Sequence, residues 1–374
     1  MRFICETSLL SSAVSTVQRA VTSKSSLATL EGVLISTNGN ELILSGYDLE
    51  IAMKTKIPAD VEVEGCTVIN AKMLGDIVRK LPYDRVNIEI NDNNKAFITS
   101  GTSEFSIIAL DANEYPELPS LEDEKQFEID ADLLKSMISQ TIFAVSTSDE
   151  RPIYKGILFE IENGEIRLVS ADGCRLAIRK EEIETSDDFR FVVPSKALQE
   201  ILKLIDDDME EKIIVNVGKR HISFNIGNYV LISRLLEGEF LNYNNGSIIP
   251  DGEDTAVTVE TRDLLNLIER ISLVISDRVK SPVRCTFKDG QIFMRCSTIM
   301  GKASDFLECD MNGIEQEIGF NSRFFIEALR AVDTDKIKVV INGAQRPIKI
   351  LPIDGDKFLF IVVPVLIKAE NNGN

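Results

Sequence analysis

Phe127-Glu-Ile-Asp-Ala-Asp-Leu-Leu134 is the stretch on which the fold turns, because the chain writes it three times. It matches Phe3-Ile-Cys-Glu-Thr-Ser-Leu-Leu10 upstream and Thr258-Val-Glu-Thr-Arg-Asp-Leu-Leu265 downstream, with the Leu-Leu pairs 124 and then 131 residues apart. A second family lies between these: Val68-Ile-Asn-Ala-Lys-Met-Leu74, Val192-Val-Pro-Ser-Lys-Ala-Leu198 and Gly319-Phe-Asn-Ser-Arg-Phe-Phe325, spaced by 124 and 127 residues. Both share one grammar: a short β-rich run, a polar residue that can start a helix, a charged residue, then an apolar pair. Leu10 to Leu74 and Leu134 to Leu198 are both 64 residues, and Leu265 to Phe325 is 60. Fixed self-similarity of this kind means repeated structural units. The expectation is three similar domains, each of two half-repeats, at residues 1–120, 125–247 and 253–367, with a disordered tail at 368–374.

Each half reads as strand, helix, then strands. After Asp130, a residue type suited to capping, Leu133, Leu134, Met137, Ile138 and Ile142 follow helical spacing. Alternating runs then flank Asn163-Gly164, the strongest short hairpin signal, and the same turn is expected at Asn38-Gly39 and Asp289-Gly290. The class is α+β: β-α-β-β-β half-repeats with antiparallel sheets and helices segregated to one face. Linkers are expected at Tyr115–Glu124 and Asn244–Gly252, where proline, glycine and acids cluster.

The 374 residues are 44% hydrophobic, enough for several cores, and the longest apolar run, Phe358 to Ile367, is too short for a membrane span. The amino end has no continuous apolar region of a secretory signal. Six scattered cysteines without a Cys-x-x-Cys pair suggest reduced, mostly buried thiols and a cytoplasmic protein. Catalytic signals are poor. The one histidine, His221, sits between strand patterns, so triad chemistry has no imidazole to use. No zinc-ligand spacing or phosphate-binding glycine loop is present, and neither a metal nor a cofactor is expected. Asp206–Glu211 reads as a solvated turn and Asp354-Gly355-Asp356 as a hairpin.

Charge is more informative by region than in total. The formal net charge of −19 argues against nucleic acid as a partner. Yet the six expected helices, 7–20, 71–81, 131–141, 195–205, 261–272 and 322–332, hold 11 bases and 6 acids. They sum to +5 and leave −24 for the rest. Six equivalent helices facing one region would make it basic, which suits contact with a phosphate backbone without sequence readout.

Ser170-Ala-Asp-Gly-Cys-Arg-Leu-Ala177 resembles the Thr-Asp-Gly-His-Arg-Leu-Ala signature of the bacterial DNA sliding clamp, the β subunit of DNA polymerase III. Tyr47-Asp-Leu-Glu50, Phe240-Leu-Asn-Tyr243, Glu317-Ile-Gly-Phe-Asn321 and the ending Val362–Ile367 are similar to the family's too, so the resemblance covers residues 1 to 367. It implies the DNA clamp fold: a head-to-tail homodimeric ring, lined by helices with sheets outside, around double-stranded DNA. It implies a non-catalytic processivity factor that needs no cofactor. Its partners would be the DNA polymerase III α subunit, the clamp loader complex and other proteins with clamp-binding motifs, and no membrane.

The resemblance also implies sites. The partner-peptide pocket falls at Tyr154, Ala171, Gly173, Cys174, Arg175, Leu176, Asn321, Phe324, Pro347, Val362, Val363, Pro364, Val365, Leu366 and Ile367. Leu176, Phe324 and Val362–Val365 would form an apolar slot, with Arg175 and Asn321 orienting the peptide. Read without the family, Val362-Val363-Pro364 is an edge strand ended by proline, and Asp172-Gly173 is a turn. DNA contacts fall at Lys24, Lys72, Arg151 and Lys196, and the dimer interface at Phe105 and Ile107 against Val274 and Ile275. Three features depart from the family: Cys174 in place of histidine, Leu241 in place of a common proline, and a longer loop at 244–247. The rival readings are a monomeric tandem-repeat scaffold and an acidic α+β hydrolase with two converging carboxylates.

Overall fold

The computed structural model describes residues 1–121, 125–244, 246, 248–276 and 281–367; the expected tail at 368–374 lies outside these, as do parts of both expected linkers. Six successive segments show the same element order. The first is β1 (Arg2–Glu6), α1 (Thr7–Val17), β2 (Gly32–Asn38), β3 (Glu41–Tyr47) and β4 (Ile51–Pro58), with a short extra strand β5 (Asp60–Val63). The second is β6 (Cys66–Asn70), α2 (Ala71–Val78), β7 (Arg85–Ile90), β8 (Lys95–Ser100) and β9 (Ser103–Leu110). The third is β10 (Lys125–Asp130), α3 (Ala131–Ser139), β11 (Gly156–Glu162), β12 (Glu165–Ala171) and β13 (Arg175–Glu182). The fourth is β14 (Phe189–Pro194), α4 (Ser195–Leu204), β15 (Lys212–Val217), β16 (His221–Ile226) and β17 (Tyr229–Arg234). The fifth is β18 (Thr255–Glu260), α5 (Thr261–Ser272), β19 (Val283–Lys288), β20 (Gln291–Thr298) and β21 (Gly301–Glu308), with the extra strand β22 (Asp310–Gly313). The sixth is β23 (Gln316–Phe320), α6 (Ser322–Arg330), β24 (Lys336–Ile341), β25 (Ile348–Pro352) and β26 (Phe358–Val362).

The helices begin where the polar residues stand. Asn70 Oδ1 accepts the Met73 amide at 3.0 Å to start α2, and Asn321 Oδ1 accepts the Arg323 amide at 3.0 Å to start α6. α2 stops at Val78, short of the expected Leu81, because Lys80 and Leu81 donate to Ile77 and Val78, three residues back, in tighter turns that lead to Pro82. α5 shows why these helices are stable: Leu264, Leu267, Ile268 and Ile271 all bury, on one stripe. The hairpins at Asn163-Gly164 and Asp289-Gly290 carry positive φ at both central residues, the type I′ signature. At the first hairpin the turn sits one residue later than expected. Asn38 pairs with Glu41, so Gly39 (φ 57°) and Asn40 form the turn, with glycine first as in type II′.

Contacts within the chain group into two compact units, Met1–Leu133 with Lys196–Leu235, and Leu134–Ser195 with Leu236–Asn374. The units cut across the repeat because sheets continue from one repeat into the next. In the first unit, β17 pairs with β4, making one 13-stranded antiparallel sheet that runs from β10 to β5, with α1 and α2 packed on each other against it. In the second unit, β26 pairs with β13, making a nine-stranded sheet, and a four-stranded sheet holds β21, β20, β19 and β23. There α5 touches strands of both sheets and packs on α6 over a core of Leu267, Ile268, Phe325 and Phe360.

Both expected linkers begin or end in core. Tyr115 is 7% exposed and packs with Leu30, Tyr47, Ala52 and Val68, because its ring covers apolar surface where β17 joins β4. Ile248 and Ile249 lie against the cluster around Phe240, and Lys349 donates to the carbonyls of Pro250 at 3.1 Å and Gly252 at 2.9 Å. Of the six cysteines, Cys5, Cys285 and Cys296 are buried, while Cys66 and Cys174 are exposed at strand ends. Burial pushes the Cys5 thiol up to about 12, which leaves it inert as a nucleophile.

Candidate functional site

The site is built in the second unit, around the tip between β12 and β13. Asp172 Oδ1 accepts the amides of Cys174 at 2.9 Å and Arg175 at 3.1 Å, tying the turn. Gly173 has φ 91°, and an added Cβ there would meet nothing within 4 Å, so backbone conformation and not space demands glycine. β26 then docks along β13, with Arg175 opposite Val362 and Arg179 opposite Phe358. β26 is therefore interior, between β13 and β25, and not the edge strand expected from Pro364 alone. Pro364 is accommodated because it falls after the ladder ends.

The tail beyond β26 is held by two amides. Val363 N–H donates to Cys174 O and Val365 N–H donates to Gly319 O, both at 2.8 Å. A Cβ at Gly319 would come within 2.4 Å of Ile367 Cγ2 and 2.6 Å of Val365 O, so the glycine lets the tail cross close to β23. Val363, Val365 and Leu366 remain 40%, 38% and 76% exposed. Ala171, Leu176 and Val362 are buried, the first two in the cluster around Phe240 and Val362 in the core that α5 and α6 cover, while Tyr154, Phe324, Pro347, Pro364 and Ile367 are half-buried. Exposed apolar side chains beside a packed core can take a short apolar peptide.

Arg175 organises the centre. Its side chain is 7% exposed, donates through Nε to Asp172 Oδ2 at 2.9 Å and through Nη1 to Glu327 Oε2. Its guanidinium lies over the rings of Phe324 at 4.7 Å and Phe143 at 5.6 Å. Both residues expected to orient a peptide, Arg175 and Asn321, thus already bond within the chain, joining the β12–β13 tip to α6 and capping α6. Burial alone would raise the Glu327 carboxyl, but hydrogen bonds from Arg323 and Arg175 outweigh it and lower the pKa. A depressed carboxylate contributes stability that is present above its unfolded value, near 4.5, and is lost as pH falls through the folded value. Melting curves at pH 6 and below pH 4 are expected to separate more for the wild type than for Glu327→Gln; equal separation would remove this network from acid sensitivity.

Tyr154 stands edge-on to Phe240, with centroids 5.3 Å apart, and Arg151 approaches the Tyr154 ring at 6.0 Å. Tyr154, Ala171 and Leu176 share one apolar cluster with Leu158, Val192, Phe240 and Tyr243, and Leu241 packs against it. Beside this cluster lies a cleft of about 770 Å³ lined by Leu158, Val192, Leu236, Phe240 and Leu241, with Glu160 and Arg190 paired in its wall. Glu160 also accepts from the Tyr243 hydroxyl. Sequence reading missed Glu160, Arg190 and Phe143. The first two face each other only through the β11–β14 register.

Of the expected DNA contacts, Lys24, Lys72 and Lys196 are exposed in the first unit and Arg151 in the second. Lys24 and Lys72 make no ion pair among the described residues. Lys196 is held by Asp48 at 2.7 Å and Glu50 at 2.9 Å. Burial alone would lower its pKa, and those two hydrogen bonds outweigh it and raise it. Most other helix cations are also paired: Arg79 with Asp76, Lys203 with Glu200, Arg330 with Glu269 and Arg270 with Asp305. Exposed pairs of this kind are weak and exchangeable.

Phe105 on β9 is 38% exposed and Ile107 half-buried, and β9 uses only Ala109 and Leu110 to pair with β6. Its outer edge over 103–108 has no partner strand among the described residues. Among the described residues β21 likewise pairs with β20 alone. Val274 and Ile275 are half-buried after α5, while their neighbour Leu273 is 83% exposed, and Ile299 and Met300 at the β20–β21 turn are 89% and 71% exposed. Helical spacing alone could not show which of three consecutive apolar residues leaves the core.

Comparison with known proteins agrees along the chain. The DNA polymerase III beta subunit family matches through its N-terminal domain at residues 1–119, its central domain at 128–242 and its C-terminal domain at 246–365. The beta sliding clamp of Halalkalibacterium halodurans is 34% identical over 381 residues, covering 98% of this chain and 99% of its own. That of Bacillus subtilis is 32% identical over 378 residues, with the same coverage. A crystal structure of a DNA polymerase III beta subunit from Eubacterium rectale superposes with TM-score 0.94 at 33% identity, covering 98% of this chain and 99% of that one. The Bacillus subtilis DNA polymerase sliding clamp superposes with TM-score 0.95 at 31% identity, covering 98% and 100%. The hydrolase and scaffold readings are displaced, and the chain belongs to the DNA polymerase III β subunit family, the bacterial sliding clamps.

Proposed function

We propose that two copies of this sliding clamp close a ring around double-stranded DNA, and that the slot at the β12–β13 tip takes short apolar peptides. Those peptides belong to the DNA polymerase III α subunit, the clamp loader complex and other clamp-binding proteins. The chain acts without catalysis, as a processivity factor: a polymerase tethered beside its primer end rebinds before it diffuses away. On this reading the repeats at 1–120, 125–247 and 253–367 act as three clamp domains, and the protein works in the cytoplasm. Among the described residues no helix is long and apolar enough to cross a membrane.

One observation carries the ring. β17 docks on β4 and β26 docks on β13, and both join the last strand of one repeat to the fourth strand of the repeat before it. Among the described residues, the pattern leaves β9 without a strand to dock on and β21 without a strand docked on it. A second copy supplies both, with Phe105, Ile107 and Ile108 meeting Leu273, Val274 and Ile275 twice per dimer. Different surfaces meet, and the contact closes after two subunits.

DNA contact through Lys24, Lys72, Arg151 and, once released from its carboxylates, Lys196 would be weak and sliding. Each phosphate neutralised adds a salt slope of roughly −0.9. Loading the protein onto nicked circular DNA with a clamp loader and ATP, removing free protein and then linearising the circle tests the reading. Protein is expected to stay on circles and run off ends. Equal retention on both forms would sink it.

A further inference from the structure

The junction at the β12–β13 tip has a counterpart inside the first unit, 124 residues earlier. On the β3–β4 tip, Asp48 Oδ1 accepts the amides of Glu50 at 3.0 Å and Ile51 at 2.8 Å, just as Asp172 serves Cys174 and Arg175. Leu49 has φ 74° where Gly173 has 91°. Ile232 of β17 lies opposite Ala52, as Ile361 of β26 lies opposite Leu176. Arg234 N–H donates to Glu50 O at 3.0 Å, the bond that Val363 makes to Cys174. The surrounding apolar residues correspond as well: Leu30, Leu34, Val68 and Ile232 stand for Tyr154, Leu158, Val192 and Ile361.

Two differences decide what the counterpart can do. Ala171 is replaced by Tyr47, which is 9% exposed, so an aromatic ring packs into the cluster where the other junction has only a methyl group. Glu239-Phe240-Leu241 is replaced by Glu114-Tyr115-Pro116, so a second buried tyrosine, Tyr115, packs in the cluster beside Tyr47. Both tips are tied to a helix: Lys196 of α4 holds Asp48 and Glu50 of this one, as Arg175 joins Asp172 of the other to Glu327 of α6.

We infer that the β3–β4 junction is a second apolar-peptide slot kept shut by Tyr47, so that each chain presents one partner site and not two. The inference rests on the reading of the Val363–Ile367 slot as a peptide site. A tyrosine removed from a packed apolar cluster leaves an apolar void, which small apolar groups fill readily.

The test uses the full chain and a synthetic peptide bearing adjacent leucine and phenylalanine side chains, with binding stoichiometry read by calorimetry and native mass spectrometry. Wild type is expected to bind one peptide per chain, and none after deletion of residues 363–367. Tyr47→Ala should bind two, and Tyr47→Ala combined with the deletion should bind one. Should the alanine variant fail to melt cooperatively, Tyr47→Thr with Leu49→Gly takes its place, since glycine relieves the left-handed backbone at the tip. One peptide for a folded Tyr47 variant, and none once 363–367 is removed, would overturn the second slot while leaving the first intact. No peptide on wild type would instead overturn the reading of the first slot.

Discussion

Deleting Val363–Ile367 is expected to weaken binding of partner peptides by at least 100-fold and to abolish polymerase stimulation, while the protein stays folded and remains on circular DNA. The segment contributes little to the core, since Val363, Val365 and Leu366 are 40%, 38% and 76% exposed. β26 ends at Val362 and keeps its pairing with β13 and β25, so the sheet survives the loss. What disappears is a wall of apolar side chains beside the β12–β13 tip. Burying one aliphatic side chain against a partner is worth about 1.5–3 kcal/mol, so losing two costs about 3–6 kcal/mol. Each 1.4 kcal/mol is roughly tenfold in affinity, so 100-fold is the low end. Fluorescence anisotropy with a labelled peptide measures the first effect and primer extension the second. Normal stimulation by the truncated protein would refute the slot.

Arg175→Ala is expected to lower the unfolding free energy by about 3 kcal/mol and to weaken peptide binding as well. Removing one partner from a buried charge network leaves the others uncompensated, which typically costs about 3–5 kcal/mol. The lower figure applies because Glu327 keeps a second partner in Arg323, at 2.8 Å. Asp172 loses its side-chain partner but still accepts the Cys174 and Arg175 amides. Two further changes separate charge from packing. Arg175→Met keeps much of the stem between Phe143 and Phe324, and Arg175→Met with Glu327→Gln also removes the half-buried carboxylate that has lost one of its two cationic partners. The double variant is expected to recover about 1 kcal/mol or more over Arg175→Met in urea titrations. Additive losses would mean that the two side chains are not coupled.

The repeated grammar of the sequence was legible because it is local. Asn70 and Asn321 cap helices with their own side chains, and Asn163-Gly164 makes its turn with its own backbone. Such signals need only a few neighbouring residues, so they can be read in order along the chain. Tyr115 was misread for the opposite reason. A proline-rich, acidic neighbourhood looks like linker, yet its ring buries against residues from other strands.

The joint between β26 and β13 was equally hidden. Val362-Val363-Pro364 carries an edge-strand signal, and nothing nearby says that a strand from almost two hundred residues earlier will cover it. The candidate site mixed both kinds of information. The family resemblance located the slot residues, but the inward bonding of Arg175, the facing of Glu160 and Arg190, and the capture of Lys196 by Asp48 and Glu50 depend on register and proximity. Charge followed the same division. The helix excess of +5 was countable, while the pairing that neutralises much of it was not.

By itself the sequence determined a thrice-repeated α+β chain of paired half-repeats, its helix starts and turns, and its kinship to the sliding clamps. Only tertiary structure decided which strand docks on which, that Leu273 and not its neighbours stands out after α5, and that Tyr47 packs into one junction at the place Ala171 takes in its counterpart. The physical reason is range. Propensity, capping and turn chemistry act within a few residues, whereas docking and side-chain burial are set by free energies summed over residues that meet only once the chain has folded.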